Sequence, residues 1–310
     1  MIEVSDLSKS FGSIRALDRV GFRVEEGEIL GFLGPNGAGK STTMRILTGF
    51  LPGDSGTVRV AGFDVRSQSM EVRRATGYLP EAVPLYPEMR VIEYLRFRAR
   101  LKGVPRSRRR AAIERALEEA GVSEVRRQIV GTLSRGYRQR VGVADAILGE
   151  PKVLILDEPT VGLDPEQVRQ FRQTLRDIGQ DRTVILSTHI LSEVELVCSS
   201  VIIINKGRVV ARDTADGLRR LFGAAERAVA EVDAAPDQIR EAFRGDPRVH
   251  RITVEGDEGF RRVVVESRAG EDLRTLVYQV ASSRGWVLRD LRREVRSLED
   301  VFVGLIGAES

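Results

Sequence analysis

The sequence predicts an α/β protein: a parallel sheet flanked by helices, with an antiparallel β-subdomain before it and a small α+β domain after it. Two observations predict the parallel sheet and the domain after it. Short apolar runs, "EILGFLG" (28–34), "KVLILDEP" (152–159) and "RTVILSTH" (182–189), alternate with segments of helical spacing. Continuous apolar strands between helices belong to a sheet buried on both faces. The character of the chain changes near residue 220, where the Ala-rich stretch "AERAVAEVDAAPDQ" opens a second set of elements.

The elements follow in order. "IEV", "GFRVEEGE" and "GTVRVAG" alternate apolar and polar positions between Gly-bearing turns, which reads as antiparallel strands. Residues 40–51 have helical spacing, with Met44, Leu47 and Leu51 on one face. Residues 90–148 are mainly helical, and "RRRAAIERALEEAG" stops at Gly121. Pro159 stops the strand at 152–159, and "SSVIIINKGRVVA" (199–211) is strand, Lys-Gly turn and strand. Beyond residue 220 the pattern is strand 228–233, helix 237–244, strands 248–254 and 261–267, helix 271–284, strand 286–294 and helix 297–307. The first six of these have the β-α-β-β-α-β order of a ferredoxin-like unit. Two domains are expected, 1–220 and 221–310, with a helical subdomain at about 82–148.

Bulk composition narrows the function classes. The 310 residues carry 49 Lys and Arg against 45 Asp and Glu, so the net charge of +4 gives no reason to expect a nucleic-acid partner. A single cysteine, Cys198, excludes a disulfide framework and reads as a small buried residue. His250 reads as structural. No apolar run is long enough to span a bilayer and the N-terminus lacks an apolar signal core, so a cytoplasmic location is expected. The dense basic stretch "RFRARLKGVPRSRRR" (96–110) reads as a solvated helix and loop, with proximity to anionic lipid headgroups as the alternative.

Chemistry enters at "GPNGAGKS", residues 34–41, which fits G-x-x-x-x-G-K-[ST] between a strand and a helix. Gly34, Pro35, Asn36, Gly37, Ala38 and Gly39 form a loop whose N–H groups can turn inward round phosphate oxygens, at the positive end of a helix. Lys40 is expected at the β/γ-phosphates, Ser41 on Mg²⁺, and Thr42 at the α-phosphate. "LILDEPT" supplies the other half: Asp157 ends an apolar strand, where a metal-organising carboxylate belongs, and Glu158 follows it. Neighbouring side chains at a strand end diverge, so Asp157 can serve Mg²⁺ while Glu158 polarises the attacking water. These two motifs make a phosphate-loop nucleotidase. GTPases, helicases, kinases and transport ATPases all share them.

Five further motifs stand in a fixed order. "LSRGY" (133–137) resembles the signature of the ATP-binding cassette family, usually Leu-Ser-Gly-Gly-Gln. Phe11 stands at that family's adenine-stacking aromatic, "GYLPEAVPLYP" (77–87) at its Q-loop, "VGLD" (161–164) at its D-loop and His189 at its switch histidine. The resemblance covers about residues 1–220 and points to the drug-exporter and gliding-type branch, which also carries a C-terminal appendage ending like "SLEDVFVGLIG" (297–307). It implies an ATPase subunit that binds ATP and Mg²⁺. Two copies, or two close relatives, would sandwich two ATP molecules and drive a separate membrane permease from its cytoplasmic face, with export expected. Ser134 and Gly136 would meet the partner subunit's γ-phosphate, Gly136 by lacking a side chain. His189 would hold the γ-phosphate and water in line, and Asp164 would join the nucleotide contacts. Glu81 replaces the Q-loop glutamine, with an oxygen still able to approach Mg²⁺. Arg135 and Tyr137 replace Gly and Gln of the signature. A rival reading is a soluble ATPase of this family acting on nucleic acid or ribosomes, which one cassette without a coiled coil disfavours.

Overall fold

A computed structural model describes residues 1–221, 227–256, 259–268, 271–294 and 302. The chain divides into two compact units, Met1–Ala215 and Asp216–Ser310.

The first unit begins with β1 (Ile2–Phe11) and β2 (Ile14–Val24), a hairpin closed by Gly12 in a left-handed conformation. Next come β3 (Ile29–Leu33), α1 (Lys40–Leu47), β4 (Ser55–Val60), β5 (Phe63–Asp64), α2 (Ser69–Ala75) and β6 (Thr76–Leu79). Three helices follow, α3 (Val91–Leu101), α4 (Arg109–Glu119) and α5 (Arg135–Ile147). The remainder is β7 (Val153–Asp157), α6 (Pro165–Gly179), β8 (Thr183–Thr188), α7 (Leu191–Val197), β9 (Ser200–Asn205), β10 (Arg208–Asp213) and α8 (Ala215–Leu221), the last of which enters the second unit.

Two sheets form. The order β2-β1-β4-β5 is antiparallel throughout, and β10-β9-β3-β8-β7-β6 is parallel except for β10. The apolar runs occupy its centre because they are buried on both faces: Leu154 and Leu156 of β7 pack with the helices α3–α5, while Val153 and Ile155 pack with the antiparallel sheet. In the parallel sheet β3, β8 and β7 are neighbours, so the loops after their C-terminal ends open at one place. Leu33 pairs with Thr188, and Ser187 with Asp157.

The basic stretch 96–110 departs from the solvated face expected of it. Asp145 on α5 is buried, and a buried carboxylate demands partners. Arg98 reaches it at 2.9 Å, Lys102 at 3.4 Å, and Arg109 turns back to the Val104 carbonyl at 2.7 Å. Part of this charge is therefore structural, spent inside the helical region.

The second unit contains β11 (Arg227–Val232), α9 (Pro236–Ala242), β12 (Val249–Glu255), β13 (Arg261–Ser267), α10 (Arg274–Ser283) and β14 (Leu288–Glu294). The sheet order β12-β13-β11-β14, antiparallel throughout, is the ferredoxin-like arrangement. Its core holds Ala228, Ala230, Ile239, Val263, Val265 and Val277. The helix expected at 297–307 lies outside the described residues.

β6 sits at the sheet edge, crossed by the C-terminal turn of α5. A Cβ on Gly77 would overlap the Ala146 carbonyl oxygen and lie 3.0 Å from its carbon, with backbone on both sides of the clash. Gly77→Ala is expected to cost about 1–3 kcal/mol of stability. Urea unfolding should show a lower midpoint at unchanged slope. An unshifted midpoint would mean that α5 and β6 are less closely packed.

Candidate functional site

The loop after β3 lies where three parallel strands end. Gly34 has no room for a side chain, because a Cβ would sit 2.5 Å from the Ile204 carbonyl oxygen. Gly39 has φ +107° and turns the chain left-handed into α1, with Ala16 O 2.8 Å from a hypothetical Cβ. The Ala38 N–H donates to Pro35 O at 3.2 Å and the Ala38 carbonyl accepts from Gly207 N–H at 3.0 Å, which braces the loop against the β9–β10 turn. Lys40 is buried, with Nζ 2.7 Å from Gly34 O and 3.2 Å from Pro35 O, so its stem crosses beneath the loop.

Glu158 follows the last residue of β7 and has φ +48°, a conformation that a non-glycine residue rarely adopts. Its N–H donates to Ser187 O at 2.9 Å, which holds the turn against β8. The turn aims a carboxylate that is only 6% exposed between two nitrogen groups. Lys40 Nζ lies 3.2 Å from Oε1, and His189 Nδ1 lies 2.9 Å from Oε2. Strain of this kind persists only where its surroundings over-determine it, and it concentrates at functional sites.

Asp157, the last residue of β7, accepts from Ser41 Oγ at 3.2 Å. Burial pushes its carboxyl above the ordinary carboxylate value. Hydrogen bonds from Ser187 and Ser41 pull it back, and the Glu158 and Glu81 charges push it further up. Glu193 was not foreseen: it is buried behind the site, accepts from Thr188 Oγ1 at 3.1 Å, and burial raises its carboxyl as well. Its only sequence signal is its place four residues after His189 on the next helix. Burial likewise pushes the Cys198 thiol up to about 12. Cys198 is half-buried against the core rather than fully enclosed.

These groups surround a cavity of about 420 Å³, walled by Asn36, Gly37, Gly39, Lys40, Ser41, Thr42, Glu81, Glu158 and His189, with Ala16 and Val161 added. An oxygen-rich corner of Ser41, Asp157 and Glu81 suits a hard divalent cation. Mg²⁺ keeps several waters and takes phosphate oxygens beside one or two protein groups, a donor set that Ser41 and Asp157 match.

Other expected site residues lie away from this cavity. Phe11 ends β1 at the hairpin tip, about half exposed, with Lys9 Nζ 5.6 Å from the ring centre. Ser134 caps α5, its Oγ accepting from Tyr137 N–H at 3.3 Å. Asp164 caps α6, accepting from Gln167 N–H at 2.8 Å. Beside Gly136 a Cβ would meet Gln167 Oε1 at 2.7 Å, the outer end of a flexible side chain from α6. Tyr137 turns to its own subunit, its hydroxyl donating to Glu124 at 2.9 Å.

Residues 17–161 match the family described as ABC transporter. The bacitracin transport ATP-binding protein BcrA of Bacillus licheniformis is 36% identical over 222 residues, 71% of this chain and 72% of that protein. The chain belongs to the ABC transporter family. It is an ATPase cassette of that family. The linearmycin resistance ATP-binding protein LnrL of Bacillus subtilis (strain 168) is 28% identical over 308 residues, 99% of this chain and 98% of LnrL, so the likeness runs through the second unit. A solved structure of an ATP-binding subunit of an ABC transporter superposes with a TM-score of 0.65 at 33% identity, over 72% of this chain and 93% of that one.

The raised Asp157 carboxyl has a consequence for stability. Its folded value lies above the unfolded value of 3.8, so ionisation at neutral pH costs the fold free energy that is absent at lower pH. Asp157→Asn removes that cost. Its melting temperature without nucleotide should exceed wild type at neutral pH, and the gain should fade as pH drops through the folded and then the unfolded value. A gain independent of pH would contradict the burial argument.

Proposed function

We propose that this ABC cassette binds ATP with Mg²⁺ on the 34–42 loop, hydrolyses it with Glu158 as general base, and powers an integral-membrane permease carried on another chain. The observation that carries the reading is the Glu158 carboxylate, buried and bracketed by Lys40 and His189 at the mouth of the phosphate loop. When bound, Mg²⁺ neutralises charge on the phosphates.

This chain's own residues do the rest. The loop N–H groups and Lys40 hold the β- and γ-phosphates, and Thr42 holds the α-phosphate. Lys40 exchanges Glu158 for phosphate oxygens as the triphosphate seats, which frees Glu158 Oε1. A water attacks the γ-phosphorus, Glu158 accepts its proton, and the bond to the ADP oxygen breaks. His189 Nδ1, on the other oxygen of Glu158, fixes the carboxylate and turns the remaining ring edge toward the γ-phosphate. Ser41, Asp157 and Glu81 would hold the cation. Phe11 stacks on the adenine from the hairpin tip, where half its surface is open.

Ser134, Gly136 and Asp164 lie outside the cavity of their own chain and serve the nucleotide of a second copy, or of a close relative, in a head-to-tail pair. The nucleotide-binding domain is 1–220, with the helical subdomain at about 82–148, and 221–310 is an accessory domain. Among the described residues no helix is long and apolar enough to cross a membrane. The subunit docks on the cytoplasmic face of the membrane. Two relatives named for linearmycin resistance and bacitracin transport support an export role.

Glu158→Gln should keep ATP affinity, lose about 10²–10⁴-fold in turnover, and accumulate as an ATP-bound dimer in size-exclusion chromatography. Hydrolysis near the wild-type rate would remove Glu158 as the base. Ser134→Arg should bind ATP as one chain yet neither dimerise nor turn over. Retained turnover would return Ser134 to a plain helix cap.

A further inference from the structure

Arg135 is a departure from the family signature, and helix stability does not account for it. It is the first residue of α5, where the helix dipole disfavours a cation, and no acidic residue occupies that first turn. It is exposed and makes no ion pair among the described residues.

What it does touch is Gly162. A Cβ there would fall on Arg135 Nη1 and Cζ and lie 2.9 Å from Nε, so the guanidinium plane lies flat over the glycine. Gly162 has φ +74° and sits four residues after Glu158. Between them the chain is a run of turns: Val161 N–H donates to Glu158 O at 3.3 Å, and Leu163 N–H donates to Thr160 O at 3.1 Å. Neither strand nor helix stiffens this segment, so the plane over Gly162 supports its outer side. Two further contacts join α5 to α6, the helix that follows Gly162: Gly136 against Gln167 and Arg140 to Gln170.

We propose that Arg135 is a positioning residue that joins the Ser134 end of α5 to the Glu158 loop of the same chain. On the two-site reading above, on which this rests, Ser134 faces the partner subunit's nucleotide while Glu158 serves its own. Arg135 then makes one mechanical unit of the two, so that a phosphate arriving at Ser134 steadies Glu158 at the other site. The property that matters is the flat, wide group over Gly162 rather than its charge.

The test is a double-mutant cycle in the full chain, with ATP turnover, KM for ATP and melting temperature measured for Arg135→Gly, Gly162→Ala and the pair. Arg135→Gly should lower kcat by about 3–30-fold, with KM and melting temperature little changed. Gly162→Ala should also lower kcat, partly through its left-handed φ. With Arg135 already removed, the same change should cost clearly less. Arg135→Gln, which keeps a planar group, should retain more kcat than Arg135→Lys. Additive effects on kcat, or a raised KM at unchanged kcat, would overturn the proposal. Full activity in Arg135→Lys with loss in Arg135→Gln would instead make Arg135 a charge contact to phosphate. Turnover in Ser134→Arg would fail the two-site reading itself, independently of the cycle.

Discussion

The site depends on one carboxylate held from both sides. Glu158 is buried, lies 3.2 Å from Lys40 Nζ through one oxygen and 2.9 Å from His189 Nδ1 through the other. A buried carboxylate without partners would be costly, and each partner comes from a different strand end. Lys40 follows β3, Glu158 follows β7 and His189 follows β8, which are neighbours in the sheet. The order of strands is therefore what makes the ion pair possible. A different order would leave Lys40, Glu158 or His189 buried or exposed without the others.

The same arrangement explains why the site tolerates local cost. Glu158 accepts a left-handed backbone, Asp157 stays ionisable against burial, and Gly34 and Gly39 surrender side chains to close approach. The rest of the unit offsets these costs with ordinary packing: residues 153–156 of β7 are apolar on both faces, and each face belongs to a separate core. Rigid strands thus carry strained loops, which is the division of labour that a phosphate-handling site needs.

Much of this was legible in the residues. The loop from Gly34 to Ser41 and the acidic pair at the end of β7 could be read because backbone geometry dictates their spacing. The outline of both units followed from runs of period two and of 3.6. Features made by distant contacts were not legible. Arg98 and Lys102 looked like a solvated face, and only the fold brings buried Asp145 on α5 to meet them. Nothing near Gly136 in the sequence shows that the Gln167 side chain of another helix lies beside it. Glu193 has no motif of its own and becomes visible only through Thr188. Edge strand β6 is four residues long, too short to show a period.

The central claim is that Glu158 is a base held in readiness by Lys40 and His189, and released on one side by the nucleotide. A crystal structure with a non-hydrolysable ATP analogue and Mg²⁺ tests it most directly. The account predicts Lys40 Nζ on the β- and γ-phosphate oxygens, Glu158 still within hydrogen-bond distance of His189 Nδ1, and its free oxygen facing the γ-phosphorus. Lys40 remaining on Glu158, or a carboxylate turned away from the γ-phosphate with His189 detached, would contradict it.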